Sequence, residues 1–419
     1  MKKSVLACGF LSITAAFAAE PVVQFSSVTA KGPATAEEVA AARAKFVEKN
    51  SKLDWARITV NEADDATVAA LAAAFPECTA FSILKTPITT LAPLAGLQAK
   101  TIEVRYCTID DLSPLGECAK VESVNLYGST VKDFSPLAKC PKLKEINFYA
   151  TKADPAAYQT LGALKQCKAF IGGLSGITSL DWVKEVPGIE SIQIFDECIS
   201  DFSPIATAKN LKKFRGWNMS DSKLGGKGHI PALGDLSFLS GCTALEALEL
   251  PGSKFSNLAA LEGLQNLTSV DFRGAKCDVD LSFLKGKAKL KGVNASSCAG
   301  ELTGFEALAG LPALKYCDLS ENKAVDVSFV KDCPALTSLQ VYGTKKVAAK
   351  VSGFEAVAEA PAIESLNIRF TEGCSLKAVK PSKRFSSLSL AKDQFPEDEV
   401  KALEAAMKAA NPRARLNVR

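Results

Sequence analysis

A 22-residue repeat restricts the fold of this chain more than any other sequence feature. Val124 is followed 22 residues later by Ile146, and Cys118 is followed at the same interval by Cys140. A unit of this length cannot bury both of its faces alone, so such units stack on one another in a solenoid. A chain of 419 residues would otherwise suggest two or three globular domains. The repeat instead predicts one long array.

Each repeat is predicted to begin with a short strand, because apolar residues alternate with polar ones. Ser-Pro-Leu segments at residues 113–115 and 135–137 favour short helical or 3₁₀ returns. Two longer repeats place insertions at residues 218–233 and 344–353, and such loops often add recognition. The first apolar residues of the predicted strands are Phe81, Ile102, Val124, Ile146, Phe170, Ile192, Phe214, Leu248, Val270, Val293, Cys317, Leu339, Leu366 and Leu388.

The run of residues 143–151, which reads Leu-x-x-Ile-x-Phe-x-x-Thr, resembles the leucine-rich repeat consensus. In that consensus an Asn, Cys, Ser or Thr after the strand hydrogen-bonds the backbone of neighbouring turns. The Asp-Phe-Ser-Pro-Leu segment at residues 133–137 is most similar to the SDS22-like class of internalin-type bacterial surface proteins. Residues 242–251 also resemble BspA-like repeats.

The resemblance implies an α/β solenoid, that is, a leucine-rich repeat horseshoe. A parallel β-sheet would form its concave face, and short helical or 3₁₀ returns would form its convex face. The resemblance also implies a scaffold that binds a partner. It does not identify that partner, because the same fold serves many unrelated functions.

The sequence predicts four segments along the chain. These are a signal peptide at residues 1–19, an N-terminal linker and helical cap at 20–74, the solenoid at 75–393 and a C-terminal helical cap at 394–419. Lys2 and Lys3 precede an apolar run that ends in Ala-Phe-Ala, which is the pattern of an export signal. Few residues precede Cys8, so a cleaved leader is favoured over a lipoprotein. We expect a periplasmic or extracellular protein with no transmembrane segment.

Both caps have local sequence signals. Residues 21–33 form a polar stretch with short side chains, which predicts a loose segment before a helix that Thr35 caps. The first strand is predicted at residues 58–60. Near the C-terminus, Pro396 and the acidic residues after it predict a helix that ends near Pro412. Residues 416–418 are predicted to add an edge strand.

Thirteen cysteines in an exported chain would ordinarily suggest a disulfide scaffold. Several of them instead occupy a repeat position that elsewhere holds leucine or valine, which indicates small hydrophobic residues. Stacking would place Cys118 and Cys140 about 5 Å apart, within disulfide range, so both a disulfide and two free thiols stay open for this pair. No Cys-x-x-Cys occurs and His229 is the one histidine, so no metal or other cofactor is predicted.

Residues that flank the buried strand residues are predicted to point away from the core onto the concave face of the sheet, which we call its outer face. The position between the buried pair is polar and rich in amides, as at Asn125 and Asn147. The position just after it is rich in aromatic residues and arginine, which are typical of binding hot spots. The candidate ligand-binding residues are Arg105, Tyr127, Tyr149, Phe195, Trp217, Arg273, Tyr342 and Arg369.

Two interpretations of these aromatic residues stay open. Tyr127, Tyr149, Phe195 and Trp217 are the best candidates for a ligand-binding patch, and aromatic faces beside amides also suit sugar rings. Alternatively, the rings stack across neighbouring strands and only stiffen the sheet.

Catalysis has no signature in this sequence. The glycine-rich run beside His229 lacks the spacing of a phosphate loop. Glu249 and Asp271 are acids on neighbouring predicted strands, a setting in which isolated solvated carboxylates are the common case. The net charge of +4 gives no basic excess that would indicate a nucleic-acid partner. The sequence favours a monomeric, non-enzymatic exported protein that binds a protein or carbohydrate. The alternative is a structural or self-associating component of an envelope or matrix.

Overall fold

The structure is a computed structural model that describes residues 20–50, 54–195, 199–217 and 233–419, with only the backbone of Trp217. The predicted signal peptide and most of the first insertion, including His229, lie outside the described residues. The chain divides into two compact units, Met1–Leu143 and Lys144–Arg419.

The described residues of the first unit form helices α1 (Ala36–Lys49) and α2 (Asp65–Ala74) and 3₁₀ helices at Ala92–Leu94, Ser113–Glu117 and Ser135–Lys139. Its strands are β1 (Val22–Val23), β2 (Ser27–Lys31), β3 (Arg57–Asn61), β4 (Ala80–Leu84), β5 (Thr101–Arg105), β6 (Thr108–Ile109), β7 (Ser123–Asn125) and β8 (Thr130–Val131). Strands β2, β3, β4, β5 and β7 pair side by side in parallel.

Residues 21–33 do not form the loose stretch that the sequence predicted. Strand β1 pairs antiparallel with β2, and β2 pairs in parallel with β3. Val28 and Ala30 are fully buried, whereas Ser27 and Thr29, which alternate with them along the strand, are half-buried. The short polar side chains that suggested a loose segment are therefore the outward half of an alternating strand, and the parallel sheet begins one strand earlier than predicted.

The predicted helix after Thr35 is confirmed. The Thr35 hydroxyl accepts a hydrogen bond from the Glu38 backbone N–H, and the Glu38 carboxylate accepts one from the Thr35 backbone N–H. This reciprocal capping box satisfies two backbone donors that the first helical turn would otherwise leave unpaired. It fixes the start of α1, whose Val39 and Phe46 are buried.

The described residues of the second unit form helices α3 (Pro155–Gln159) and α4 (Glu397–Ala410), and 3₁₀ helices at Thr160–Ala163, Asp181–Glu185, Ser203–Thr207, Leu236–Leu239, Leu258–Leu261, Leu281–Leu284, Phe305–Leu308, Ser328–Asp332, Phe354–Glu359 and Leu376–Ala378. Its strands are β9 (Glu145–Asn147), β10 (Ala169–Gly173), β11 (Ser191–Phe195), β12 (Lys213–Trp217), β13 (Gly234–Asp235), β14 (Ala247–Glu249), β15 (Phe255–Ser256), β16 (Ser269–Asp271), β17 (Val279–Asp280), β18 (Gly292–Asn294), β19 (Leu302–Thr303), β20 (Tyr316–Asp318), β21 (Ala324–Asp326), β22 (Ser338–Gln340), β23 (Ala349–Ser352), β24 (Ser365–Asn367), β25 (Thr371–Glu372), β26 (Ser387–Leu390) and β27 (Arg415–Val418).

One parallel sheet runs through the second unit. Its strand order is β9, β10, β11, β12, β14, β16, β18, β20, β22, β24, β26 and β27. Equivalent residues of successive repeats lie opposite each other: Phe170 faces Ile192, and Val270 faces Val293. All four are buried. Burying a side chain of this kind contributes about 1.5–3 kcal/mol, so the stacked apolar columns hold the repeats in register as the period predicted.

The C-terminal elements agree with their sequence signals. Helix α4 begins directly after Pro396, and its first turn holds Glu397 and Glu399. Acidic residues there complement the positive end of the helix dipole. Strand β27 pairs in parallel with β26, which confirms the predicted last strand.

Polar residues just after the strands bind the backbone of neighbouring turns, as the family resemblance implied. In the first unit the Ser129 hydroxyl donates to the Val104 carbonyl over 2.8 Å. In the second unit the Asn322 side-chain nitrogen donates to the Ala295 carbonyl over 2.8 Å, and its oxygen accepts from the Cys298 N–H. These bonds pair buried backbone groups that the turn would otherwise leave unsatisfied.

Cys118 and Cys140 are buried thiols in this structure, and no disulfide joins them, so the second of the two alternatives left open by the sequence holds. Each thiol lies 3.1 Å from a carbonyl of the preceding repeat, Leu94 for Cys118 and Leu115 for Cys140. Burial raises the pKa of Cys140 to about 11. The two side chains therefore serve as small buried residues with a weak donor.

A lysine occupies the same repeat position in the second unit. Lys287 is fully buried, and its ammonium donates to the carbonyls of Leu261, Glu262 and Leu264 over 3.0–3.1 Å. These carbonyls end the 3₁₀ helix of the preceding repeat, where a cation is stabilised by the backbone dipoles. Burial lowers the pKa of Lys287, and Glu262 partly offsets that change.

Candidate ligand-binding surface

The outer face of the sheet carries the predicted column, and in the first unit it presents a tyrosine pair. Tyr106 and Tyr127 meet edge to face, with ring centroids 5.2 Å apart. Tyr106 is 50% exposed and has a left-handed backbone, with φ of 56°. Its ring lies over Gly128, where a Cβ would come within 2.6 Å of a ring carbon. The sequence prediction missed Tyr106 because it lies one position after the predicted column, which Arg105 occupies.

In the second unit, Tyr149, Gly173, Phe195, Arg215 and Glu249 form a cluster that we call the aromatic clamp. The rings of Tyr149 and Phe195 lie two strands apart, yet their centroids are only 5.8 Å apart. They close over Gly173, where a Cβ would lie 2.6 Å from both the Phe195 Cβ and a Tyr149 ring carbon. A glycine in the middle strand therefore allows this contact. The sequence prediction did not include Gly173.

The arginine of the aromatic clamp is held from two sides. The Arg215 guanidinium lies 5.4 Å from the Phe195 ring centroid, and its Nε lies 3.0 Å from the Glu249 carboxylate. Lys213 contacts the same carboxylate at 2.9 Å. Phe195 is only 8% exposed. The charged and aromatic groups of the aromatic clamp thus mainly contact one another. This favours the interpretation in which these rings stiffen the sheet. Trp217 pairs with Phe195 in register through its backbone.

Further along the same sheet, Tyr316, Asp318, Tyr342, Asn367 and Arg369 form a second cluster, which we call the tyrosine–arginine patch. Tyr316 is 38% exposed, and its hydroxyl donates to Asp318 over 3.0 Å. Arg369 lies 5.0 Å from the Tyr342 ring centroid, and its Nε donates to the Asn367 side-chain oxygen over 3.2 Å. Within the described ranges, no carboxylate lies within ion-pair distance of Arg369.

Tyr316 is the member of the patch that the sequence prediction missed. It is the first residue of β20, at an outward position that the predicted columns did not include. The equivalent residues of the neighbouring strands are Gly292 and Ser338. An aromatic residue in a series of small ones is a signal that could have identified it. Burial raises the pKa of the Tyr316 phenol, and the Asp318 carboxylate raises it further.

No protein-family model matches the sequence, and a search of curated proteins finds no match. Solved structures do match. An internalin from Listeria monocytogenes is 16% identical, with a TM-score of 0.53 over 91% of this chain and 93% of its own. A leucine-rich repeat protein from Leptospira interrogans is 9% identical, with a TM-score of 0.56 over 89% and 91%. The mouse RP105/MD-1 complex gives 13% identity and a TM-score of 0.57 over 81% and 60%.

This chain has the leucine-rich repeat fold. The likeness to internalin-type structures concerns the fold, and it confirms the parallel sheet with short 3₁₀ returns that the repeats predicted. It carries no assignment of ligand or site.

Four asparagine oxygens of the amide-rich column are hydrogen-bonded within the fold. The side-chain oxygens of Asn125 and Asn147 accept hydrogen bonds from the backbone N–H two residues later. Asn294 and Asn367 do the same. These local bonds satisfy donors near the ends of the short strands. The polar column is therefore partly structural, which spacing alone did not show.

The two acids considered for catalysis are each paired with an arginine. Glu249 and Asp271 lie opposite each other on β14 and β16. Arg215 contacts Glu249, and Arg273 contacts Asp271 at 2.9 Å. Burial raises the pKa of the Asp271 carboxyl above its ordinary value, and the contact with Arg273 offsets only part of that rise. The arrangement is that of two ion pairs on a sheet surface.

The described residues include no helix with the length and hydrophobicity of a membrane span. They also bring no three His, Cys, Asp or Glu side chains together in a group that could hold a metal ion.

Proposed function

We propose that this leucine-rich repeat protein is an exported, non-catalytic binding protein that recognises a protein or glycan through the outer face of its sheet. The observation that carries the proposal is the tyrosine–arginine patch. Its aromatic ring at Tyr316 is exposed, and the charge of Arg369 has no acid partner among the described residues. An exposed ring on the same face of a sheet as an unneutralised arginine is typical of interface hot spots.

The composition around the patch supports the proposal. Strands β18, β20, β22 and β24 and the residues just after them have three positions each that alternate with the core residues. None of the twelve holds an aliphatic side chain, and Ser296 and Ser320 among them are themselves buried. Tyrosine, serine, glycine, asparagine and arginine are the residues that antibody paratopes favour, since they combine rigid contact area with adaptable hydrogen bonding. The twelve residues are Gly292, Asn294, Ser296, Tyr316, Asp318, Ser320, Ser338, Gln340, Tyr342, Ser365, Asn367 and Arg369.

The predicted site residues divide under this proposal. Tyr342 and Arg369 contact the ligand directly, whereas Tyr149 and Phe195 support the sheet through the aromatic clamp. Tyr127 offers a further contact in the first unit together with Tyr106. Arg105 in the first unit, and Arg273 and Trp217 in the second unit, remain proposed contacts.

One neighbour supports binding by this fold in a direct way, since its structure is that of a complex between mouse RP105 and MD-1. A solenoid exposes a long, rigid sheet for such a partner. The proposal extends that use of the fold to this chain and places its partner outside the cytoplasm, where the exported protein would bind it.

A binding screen with matched variants tests the proposal. The protein is screened against arrays of glycans and of envelope and host-surface proteins, together with the double variants Tyr316→Ala/Arg369→Ala and Tyr149→Ala/Phe195→Ala. We expect the patch variant to lose its ligands while the clamp variant keeps them at a temperature where both are folded. Equal binding by the wild type and the patch variant would contradict the proposal.

A further inference from the structure

Internal hydrogen bonds leave the tyrosine–arginine patch and the neighbouring Asn294 on β18 rich in donors and poor in acceptors. The Asn294 side-chain oxygen accepts from the backbone and hydroxyl of Ser296. The Asn367 oxygen accepts from the backbone and Nε of Arg369. No partner for either side-chain nitrogen lies among the described residues. The oxygens are therefore used and the NH₂ groups remain, which suits a ligand made of acceptors.

The one carboxylate of the patch is also occupied. Asp318 accepts from the hydroxyl of Tyr316 over 3.0 Å, and from the backbone and hydroxyl of Ser320. Three donors stabilise its negative charge where it stands. Asp318 thus fixes the Tyr316 ring and leaves little accepting capacity for a ligand.

Arg369 differs from other arginines on the same face. Arg215 and Arg273 contact carboxylates at 3.0 Å and 2.9 Å, so their charges are neutralised. Arg369 meets only a ring and a neutral amide within the part of the chain that the structure describes. Stacking on Tyr342 also restricts the guanidinium before any ligand arrives, which lowers the entropy cost of bidentate carboxylate recognition.

Lysines add positive charge at both ends of these strands. Lys291 and Lys315 occupy equivalent exposed positions just before β18 and β20, and the Lys315 backbone N–H donates to the Lys291 carbonyl. Lys345 and Lys346 are exposed in the insertion that follows Tyr342. No salt bridge to these four side chains occurs among the described residues. Together with Arg369 they give five positive charges, against the three carboxylates of Asp318, Glu321 and Glu364 at these strands and strand ends, and this excess favours anions.

We propose that the tyrosine–arginine patch binds an acidic polysaccharide through the carboxylates of its uronic acid residues. This inference rests on the proposed function and names the ligand class of the same surface. The exposed Tyr316 ring offers a flat apolar face to a sugar. The NH₂ groups of Asn294 and Asn367 lie three strands apart, about 14 Å at the strand spacing of about 4.8 Å, a distance that a chain of repeated acceptors can span.

Isothermal titration with defined probes tests this inference. The probes are oligogalacturonate, a neutral galactose oligomer of the same length and a poly-glutamate peptide of matched charge. We expect the full chain to bind oligogalacturonate and to bind both other probes at least about tenfold more weakly. Because a hydrogen bond to a charged group is lost, Arg369→Gln should weaken oligogalacturonate binding at least about tenfold.

Arg57→Gln is the matched control, since it removes an exposed arginine from the outer face of the first unit. We expect it to change the affinity less than twofold. Equal binding of poly-glutamate with the same dependence on Arg369 would overturn the glycan assignment in favour of an acidic protein. Oligogalacturonate binding that Arg369→Gln leaves intact would overturn the assignment to this patch.

The array screen separates this inference from the proposed function. Ligands that depend on Tyr316 and Arg369 but carry no carboxylate would leave the binding function standing and overturn only the uronate assignment. Absence of any ligand dependent on the patch would overturn both.

Discussion

Two clusters on the sheet of the second unit place an arginine over an aromatic ring, and they differ in what else the arginine contacts. In the aromatic clamp, Arg215 lies 5.4 Å from the Phe195 ring and forms an ion pair with Glu249 at 3.0 Å. In the tyrosine–arginine patch, Arg369 lies 5.0 Å from the Tyr342 ring and bonds to a neutral amide. The ring contact is nearly the same, while the charge balance is not.

The difference separates a contact that stabilises from one that can bind. A neutralised guanidinium above a buried ring stabilises the sheet and has little electrostatic attraction left for a ligand. An unneutralised guanidinium above a half-buried ring keeps its charge available. Charge-assisted hydrogen bonds are the stronger ones, so a single acidic neighbour decides which role the same two residue types have.

Disruption of the aromatic clamp should produce the largest effect. Gly173→Ala places a Cβ 2.6 Å from both Phe195 and Tyr149, so the rings must separate. We expect a loss of about 1–3 kcal/mol in the free energy of unfolding, which is typical of overpacking. Urea unfolding followed by circular dichroism measures it.

Gly292→Ala provides the control, because a Cβ there has no neighbour within 4 Å. Its free energy of unfolding should stay within about 0.5 kcal/mol of wild type. Equal losses in the two variants would show that the aromatic clamp does not depend on the space at Gly173.

A carboxylate added beside Arg369 should make the patch resemble the clamp. Asn367→Asp keeps the size of the side chain that accepts from the arginine Nε, and it supplies the missing negative charge. We expect the affinity for oligogalacturonate to fall about tenfold, which corresponds to about 1.4 kcal/mol. Titration calorimetry measures the change.

Asn147→Asp is the control for added charge. It lies at the equivalent position of β9, where the side-chain oxygen accepts from the Tyr149 backbone. The distance from β24 spans many strands of the same sheet, far beyond the screening length of about 10 Å at 0.1 M salt. A comparable loss of affinity in this variant would mean that net charge, and not Arg369, governs binding.

Removal of the acid from the clamp is the reverse experiment. Glu249→Gln leaves Arg215 and Lys213 without their shared carboxylate. We expect unfolding to become easier by about 0.5–1 kcal/mol, since the pairs are only partly exposed. Thermal unfolding at low and high salt checks this, and the difference from wild type should shrink at high salt. A variant as stable as wild type at low salt would show that the ion pairs contribute nothing.

The repeat pattern predicted most of the fold because each apolar residue has an equivalent opposite it, as Phe170 has in Ile192. It failed at residues 27–31, where short polar side chains hid an alternating strand. It also did not anticipate Lys287, since a lysine can replace a cysteine only where three carbonyls converge on its ammonium. Such convergence depends on the turn of a neighbouring repeat.

The candidate site was predictable only in outline. Alternation along a strand shows which side chains point outward, and it identified Tyr342 and Arg369. It does not show which side chains of different repeats form ion pairs or pack against each other. Gly173 allows two distant rings to meet, and Tyr316 stands among small residues on adjacent strands. Both features arise from contacts between repeats, so no single repeat contains the information.

Titration of Tyr316 should have the smallest effect on stability, and it tests the contact between Tyr316 and Asp318 in the tyrosine–arginine patch. Burial and the Asp318 carboxylate raise the pKa of its phenol. The folded protein therefore holds this proton at pH values where the unfolded chain, with a pKa of about 10, has lost it. The stabilisation is fully present below pH of about 10 and is lost as the pH rises through the raised pKa. The ring is 38% exposed, so solvent screens the effect. Ultraviolet titration of wild type minus Tyr316→Phe should show phenolate only above pH of about 10, and ionisation below that value would contradict the Asp318 contact.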